Sequence, residues 1–384
     1  MEIKALKSSP LFNLSLSSKE LFHSNFLAWI GDTYPQMFVE ILKRLGCKCN
    51  WSDRNFCIMR EYQNFDLCVL DSNKKDVLLV LENKVKSIPY KKQLDKYEKK
   101  LNNPSCDLIL LSLATKFPDK GTIKKEGEWI VRGYDNLYTA IVNCKKHVTD
   151  QYHLSLIEDY CTFIKNLHDL SSTWMVNSDD LFVSKIKEDK IDDLRINDVR
   201  DKFKHSQLCA NLKDELEKNV GVKVESGLVI DEIKDKEFLE EVFINWGFTH
   251  DLGLIEAKVK VNDRYVLLVQ IQGNRYCHGI EWIKDDESAL HPQYWEETKV
   301  DDFVQRLSFF QFGDVDNAAF PESTNGSITF KKHKGEDIAR NYAKYGNKFL
   351  YQAKNIKSTA TIKDVIYGVV ADIKRIFEES KKSE

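Results

Sequence analysis

A run of five apolar residues, 77–81, leads without a turn into Glu82, Asn83 and Lys84. A short continuous apolar run is typical of a strand that is covered on both faces of its sheet. Alternate strand residues share a face, so Glu82 and Lys84 point the same way from the end of this strand. Because isolated charges are costly in apolar surroundings, the pair indicates either a structural ion pair or a functional site.

Two other carboxylates favour the functional site. Asp66 lies in the segment FDLCVL, which reads as the preceding strand, and Glu20 lies on the first predicted helix just before its aromatic face. An antiparallel pairing of the two strands would bring Asp66 next to Glu82. Hard oxygen donors of this kind suit Mg²⁺, and a neighbouring lysine can orient or help deprotonate a water and offset charge on a phosphate oxygen. The alternative, a structural Glu82–Lys84 ion pair, would need no upstream aspartate.

These residues resemble a known family. Asp66, then residues 82–84, then Gln93 and Tyr97 in the order QLDKY are similar to the PD-(D/E)XK nuclease superfamily. The segment ELFHSNFLAW, residues 20–29, resembles a prokaryotic branch whose first helix reads E-x-x-H-S-x-F-L-A-W. The resemblance covers residues 18–115 well and the remainder only in outline. One departure is that Phe65, not proline, precedes the aspartate.

The resemblance implies a restriction-endonuclease-like mixed sheet flanked by helices, with Mg²⁺ as cofactor and Mn²⁺ as the alternative ion. It implies that the metal is held by Glu20, Asp66, Glu82 and the backbone carbonyl of Asn83. It also implies that Lys84 acts on the attacking water. Gln93 and Tyr97 would support the site from the following helix, and Glu61 would act from outside the ligand set.

The first part of the chain reads as an α/β domain. The pattern predicts two helices within residues 18–45, with Ser17 or Ser18 as N-cap, then strands at 56–70 and 76–82 joined by a turn at 71–75. A lysine-rich helix follows at 90–102 and an apolar strand at 106–114. A strand and helix start at 128–141 and a helix at 150–168 complete the domain. Helices and strands in this order predict a mixed sheet flanked by helices.

A polar segment at 168–180 predicts a boundary near residue 172, with domains at 1–172 and 173–384 and a proteolytic nick between about 168 and 182. The second domain reads as α+β and begins with a charged helix at 181–218. Strand-like runs at 222–230, 252–261 and 265–274 follow, with a hairpin turn at 262–264, and then helices near 298–312 and 335–380. Its specificity or regulatory role stays open. Glu256-Ala-Lys258 in LGLIEAKVKV imitates the first motif, but its nearest upstream acid is on the same run, so we expect no second centre there.

Composition limits the remaining choices. The formal net charge of −3 argues against a protein that coats nucleic acid by bulk charge. Nine scattered cysteines without a C-x-x-C pair, and a start without a signal-peptide core, predict reduced thiols and a cytoplasmic protein. No apolar run approaches the roughly 20 residues of a membrane span.

A lysine-rich strip marks the expected substrate side. Residues 74–100 contain nine lysines and four carboxylates. Lys86, Lys91 and Lys92 are the predicted nucleic-acid contacts. We therefore expect a Mg²⁺-dependent nuclease, with DNA favoured over RNA, in bacterial anti-phage or foreign-DNA defence. The sequence leaves open whether the protein forms a homo-oligomer or binds a defence-system protein. The alternative is a non-catalytic nucleic-acid-binding or scaffolding protein that retains the nuclease fold.

Overall fold

The computed structural model describes residues 2–16, 20–52, 55–85, 94, 97–101, 105–113, 129–182, 194, 196–226, 233, 236–238, 240–249, 252–283, 303–304, 306–310, 312, 342–345 and 348–381. The chain divides into two compact units. The first comprises residues 1–175 and 188–204, and the second comprises residues 176–187 and 205–384. That these units are separate domains, with a protease-sensitive boundary near residue 172, stays a prediction.

The first unit contains a five-stranded sheet in the order β1–β2–β3–β4–β5, in which β1–β3 are antiparallel and β3–β5 are parallel. The strands are β1 (Phe56–Arg60), β2 (Leu67–Asp71), β3 (Val77–Lys84), β4 (Asp107–Ser112) and β5 (Trp129–Gly133). The helices are α1 (Glu2–Ser8), α2 (Pro10–Ser15), α3 (Glu20–Thr33), α4 (Pro35–Arg44), α5 (Tyr134–Cys144) and α6 (Gln151–Ser172). The sheet is mixed and flanked by helices, as the sequence predicted.

Local chemistry explains where these helices begin and how closely α3 approaches the sheet. Pro35 occupies the first turn of α4, where its missing N–H is not needed, and the Asp150 side chain caps α6 by accepting from the His153 N–H. The predicted N-caps Ser17 and Ser18 lie outside the described residues. Gly31 lets α3 lie close against β1, because a Cβ at that position would collide with the Ile58 side chain.

Two boundaries in this unit differ from the prediction. Residues 56–70 form two antiparallel strands rather than one, because Glu61, Gln63 and Asn64 adopt positive φ and turn the chain between β1 and β2. The last helix, α6, continues to Ser172 rather than ending at residue 168.

The second unit contains a seven-stranded sheet in the order β11–β12–β10–β9–β8–β7–β6, antiparallel except for the β6–β7 pair. Its strands are β6 (Lys223–Ser226), β7 (Glu241–Thr249), β8 (Leu252–Lys260), β9 (Tyr265–Gln272), β10 (Arg275–Trp282), β11 (Ala343–Tyr345) and β12 (Phe349–Asn355). Helix α7 (Asn197–Val220) passes from the first unit into the second after Lys204. Helix α8 (Ile362–Lys381) and the later turns of α7 contribute their apolar residues to the core on one face of the sheet.

The prediction for the second unit was right for β6, β8, β9, the β8–β9 hairpin, the charged helix over 197–218 and the last helix over 362–380. The strands that it did not include are β7, β10, β11 and β12. The helix predicted at 335–380 was wrong at 343–355, where the chain forms β11 and β12. The aromatic residues Tyr342, Tyr345 and Phe349 have helical spacing, but β11 and β12 pair antiparallel, with Tyr345 opposite Phe349. The charged helix predicted from residue 181 was wrong at its start, because Leu181 instead bridges Thr361.

All nine cysteines are free. Within the described residues, no helix combines the length and apolar character needed to cross a bilayer.

Candidate active site

The pairing of β2 with β3 brings the predicted motif together. Leu67 is in register with Leu81, so Asp66, one residue before β2, stands opposite Glu82. The Asp66 N–H donates to Glu82 Oε2 over 3.4 Å, and the Asn83 N–H donates to Asp66 Oδ2 over 2.7 Å. The prediction that residues around 66 and 82 lie on adjacent strands is therefore confirmed.

Glu82 and Lys84 form a buried ion pair at the end of β3. Their side chains are 2% and 8% exposed, and Lys84 Nζ donates to Glu82 Oε1 over 2.7 Å. Burial lowers the pKa of the Lys84 ammonium, but attraction to Glu82, their hydrogen bond, and the charges of Glu20 and Asp66 outweigh burial and leave this pKa above the ordinary lysine value. Lys84 is consequently a cation at neutral pH, suited to orienting a water or neutralising a phosphate oxygen rather than to accepting a proton.

Asp66 carries the clearest electrostatic perturbation of the site. Burial, and then the charge of Glu82, raises the pKa of the Asp66 carboxyl to about 6, against the opposing effects of the Asn83 N–H and Lys84. Glu20 adds a smaller increase to the same pKa. The site therefore holds more negative charge than its lysine balances, which is the condition that a bound cation relieves.

Glu20 occupies the first position of α3 and is half-buried. A carboxylate at a helix N-terminus is stabilised by the helix dipole. Its charge raises the pKa of both Asp66 and Lys84, so α3 brings Glu20 near the motif. Among the residues that the structure describes, however, no three His, Cys, Asp or Glu side chains have the arrangement of a metal site. The three-carboxylate ligand set stays a prediction.

The chemistry of the two adjacent carboxylates fits a divalent cation. Asp66 and Glu82 supply hard oxygen donors, and Mg²⁺ is commonly held by one or two carboxylates while it keeps several waters. Burial, and then the charge of Glu82, raises the pKa of Asp66. Asp66 and Glu82 are the adjacent carboxylates that would hold a cation here, and the fuller set with Glu20 and the Asn83 carbonyl stays a prediction.

The sequence analysis did not foresee what the Asn83 side chain does. It points to the opposite face of β3, where Nδ2 donates to Ser24 Oγ over 2.6 Å and Oδ1 accepts from the Tyr134 O–H over 3.4 Å. On the same side, His23 Nδ1 lies 3.0 Å from the Tyr160 hydroxyl. Burial lowers the pKa of the His23 imidazole to about 3, so His23 is a neutral packing residue at physiological pH. The alternation of β3 was the signal that could have placed Asn83 on this face.

The predicted supporting residues are only partly within the described region. Tyr97 packs edge-on against Phe65, with ring centroids 5.2 Å apart, and so buttresses the residue before Asp66. Glu61 is exposed, and its backbone N–H donates to the Asp66 carbonyl over 3.2 Å. Gln93 and the predicted nucleic-acid contacts Lys86, Lys91 and Lys92 lie outside the described residues.

The second Glu-x-Lys sequence has a partner that the sequence analysis did not expect. Lys258 Nζ lies 3.1 Å from Glu256 Oε2 and 2.7 Å from Glu281 Oε2, which reaches it from β10 across β9. Gln270 on β9 donates to Glu256 Oε1 over 2.9 Å. The sequence analysis considered only acids upstream of Glu256, whereas Glu281 comes from a later strand whose pairing could not be read from residues 251–258. That no second centre lies here stays a prediction.

Comparison with known proteins agrees with the first site. Residues 48–162 match the family model of the PD-(D/E)XK nuclease superfamily. The matched region contains Asp66, Glu82 and Lys84, whereas Glu20 and the second unit lie outside it. No curated protein and no solved structure has significant similarity to the chain.

Proposed function

We propose, on the premise that residues 48–162 belong to the PD-(D/E)XK nuclease superfamily, that the protein is a metal-dependent nuclease that hydrolyses phosphodiester bonds, with DNA favoured over RNA. One observation carries this proposal. Asp66, just before the start of β2, and Glu82 and Lys84, at the end of β3, lie together at one end of these paired, buried strands. Asp66, Glu82, Lys84 and Glu20 are the proposed catalytic residues.

A divalent cation, Mg²⁺ with Mn²⁺ as alternative, would supply Lewis-acid polarisation of the phosphate and a lowered pKa for an attacking water. Asp66 and Glu82 would hold this cation through their carboxylates. Lys84, held by Glu82 at 2.7 Å, presents a positive charge to a water or a phosphate oxygen on the same face of β3. In hydrolysis the water oxygen bonds to phosphorus, the bond from phosphorus to the leaving oxygen breaks, and that oxygen gains a proton.

The amino-acid sequence around the motif agrees with a polyanionic substrate. Between residues 74 and 100 the lysines outnumber the carboxylates nine to four, although the whole chain is slightly acidic. Such a strip supplies sequence-independent attraction to phosphates. Defence of a bacterial cell against phage or foreign DNA is the proposed setting, by analogy with similar nucleases.

One observation favours a second candidate, a non-catalytic protein that binds nucleic acid or organises a complex. The described residues include no three-residue group arranged as a metal site, although Glu20, Asp66 and Glu82 are all among them. In this alternative the Glu82–Lys84 pair is structural and the chain binds nucleic acid without cutting it.

A cleavage panel tests the proposal. The purified full chain is incubated with linear duplex, circular duplex and single-stranded DNA and with RNA, in Mg²⁺ and then in EDTA. We expect Mg²⁺-dependent cutting of at least one DNA substrate, no cutting in EDTA, and no cutting by Asp66→Asn. Binding without cutting on every substrate would support the non-catalytic alternative. Cutting that survives EDTA or Asp66→Asn would place the activity elsewhere.

A further inference from the structure

The residue between Glu82 and Lys84 makes contacts that the proposed chemistry does not use. Asn83 is fully buried, with an exposed fraction of 0%. A buried amide without partners would cost about 1–3 kcal/mol, so its orientation is set by the groups that it bonds. Its Nδ2 bonds to Ser24 of α3, and its Oδ1 bonds to Tyr134 of α5.

Ser24 connects this amide to the residue that carries the third predicted carboxylate. It lies one helical turn after Glu20 and is itself fully buried, and its Oγ donates to the Glu20 carbonyl over 3.4 Å. A serine hydroxyl has one proton and two lone pairs, so it can accept from Asn83 and donate to Glu20 together. The Asn83 N–H in turn donates to the Asp66 carboxylate. The backbone of Glu20 is therefore linked to Asp66 by three hydrogen bonds, which run through the Ser24 hydroxyl and then through the side chain and backbone of Asn83.

We propose that Ser24 and Asn83 are positioning residues, which fix the first turn of α3 against β3 and so hold the Glu20 carboxylate where its charge acts on Asp66 and Lys84 and strengthens divalent-cation binding by Asp66 and Glu82. This inference rests on the proposed function. The Ser24 and Asn83 side chains do not touch the substrate; they act through the position of Glu20. When a residue that holds a metal ligand in place is altered, the protein's affinity for the metal commonly changes by about 10–100-fold.

A purely structural role for the Ser24–Asn83 bond must be separated from this one. In both cases Ser24→Ala leaves the Asn83 Nδ2 without its acceptor and lowers the temperature of thermal unfolding. Stability alone therefore cannot distinguish them. Only positioning predicts that the effect of Ser24 on metal affinity depends on the Glu20 carboxylate.

A double-mutant cycle tests this dependence. Mn²⁺ affinity is measured by titration calorimetry, without nucleic acid, on the full-length wild type, Ser24→Ala, Glu20→Gln and the double variant. We expect Ser24→Ala to weaken Mn²⁺ binding about tenfold in the wild-type chain and less than about twofold in the Glu20→Gln chain. Thermal unfolding of the metal-free proteins should show the same loss from Ser24→Ala in both backgrounds.

Two further variants control for folding. Ser171→Ala removes another buried serine, one that donates to the His168 carbonyl over 2.8 Å within α6, and should leave Mn²⁺ affinity unchanged. Ser24→Ala combined with Asn83→Leu and Tyr134→Phe removes all three polar partners, so stability should recover relative to Ser24→Ala while the affinity stays low.

The outcomes separate this inference from the proposed function. Equal weakening by Ser24→Ala in both backgrounds, or wild-type affinity in Ser24→Ala, would overturn the positioning role and leave the nuclease proposal standing. Wild-type affinity in Glu20→Gln would also overturn it, because Glu20 would then not contribute to metal binding. A wild-type chain that binds no Mn²⁺ would overturn the proposed function itself, and this inference with it.

Discussion

The two units each bury a Glu-x-Lys sequence on a strand, yet the two pairs have different surroundings. Glu82 and Lys84 end β3, where Asp66 is adjacent and Glu20 acts on both charges from α3. Glu256 and Lys258 lie within β8, with paired strands on both sides. There the lysine is shared with Glu281, and Gln270 donates to Glu256.

The two sites differ in how much of the carboxylate charge is balanced by a neighbouring lysine or satisfied by hydrogen bonds. In the first unit one lysine faces Glu82, Asp66 and Glu20, and the pKa of Asp66 is raised to about 6 by burial and by Glu82. In the second unit one lysine serves two glutamates, and a neutral amide satisfies part of the remainder. A local sequence pattern therefore identifies a site only when the strands beside it leave charge for a ligand to neutralise.

The largest expected effect compares Glu82→Gln with Glu256→Gln. Glu82→Gln removes a charge and one of two carboxylate oxygens from the proposed metal site, so Mg²⁺ affinity should collapse and cleavage should fall by about two orders of magnitude or more. Glu256→Gln should cut plasmid at the wild-type rate. Initial rates of plasmid cleavage and calorimetric Mg²⁺ titration measure both. Equal loss of cleavage in two folded variants would remove the distinction between the sites.

The second comparison separates metal binding from chemistry. Lys84→Ala removes a positive charge beside the carboxylates, so Mg²⁺ should bind at least as tightly as in the wild type. Cleavage should nevertheless fall by about 10² or more, as expected for loss of a positioned electrostatic group. Lys84→Ala should remain folded. Wild-type cutting by Lys84→Ala would end the nuclease assignment at this motif.

The third comparison concerns stability without activity. Lys258→Met leaves Glu256 and Glu281 without their shared cation in a buried site, which should lower the free energy of unfolding by about 3 kcal/mol. Lys223→Met is the matched control, because Lys223 also bridges two glutamates, Glu225 and Glu241, but its side chain is 63% exposed. Exposed ion pairs contribute little to stability, so this control should leave the free energy of unfolding close to that of the wild type.

Thermal and urea unfolding of both variants measure the difference. Cleavage should be unchanged in both. A loss of activity in Lys258→Met at a temperature where the protein is folded would mean that the second cluster has a role beyond structure.

The sequence could predict the first site because its information is local. The apolar run into Glu82 predicts a buried strand, and an antiparallel partner for it places Asp66 opposite. The Ser24–Asn83 bond could not be predicted, because it joins residues 59 apart and depends on how α3 packs. In the second unit, Tyr345 and Phe349 have a spacing that suits a helix as well as an edge hairpin, and only pairing with β10 selects the strand.

The smallest effect is a pH dependence that the first site has because of its excess negative charge. The folded-state pKa of Asp66, about 6, is above its ordinary value of 3.8. The folded chain therefore binds this proton more tightly than the unfolded chain, so this group lowers the stability of the metal-free protein as pH rises from about 4 to 6. With allowance for its partial exposure, the loss should be about 2 kcal/mol. The free energy of unfolding is measured in EDTA for the wild type and for Asp66→Asn at each pH. The difference between the two proteins isolates the contribution of Asp66. Mg²⁺ at pH 7 should restore the wild type by mass action and leave Asp66→Asn nearly unchanged. A difference that is flat between pH 4 and 7 would mean that Asp66 is not buried beside the charge of Glu82, and the contrast between the two Glu-x-Lys strands would lose its electrostatic basis.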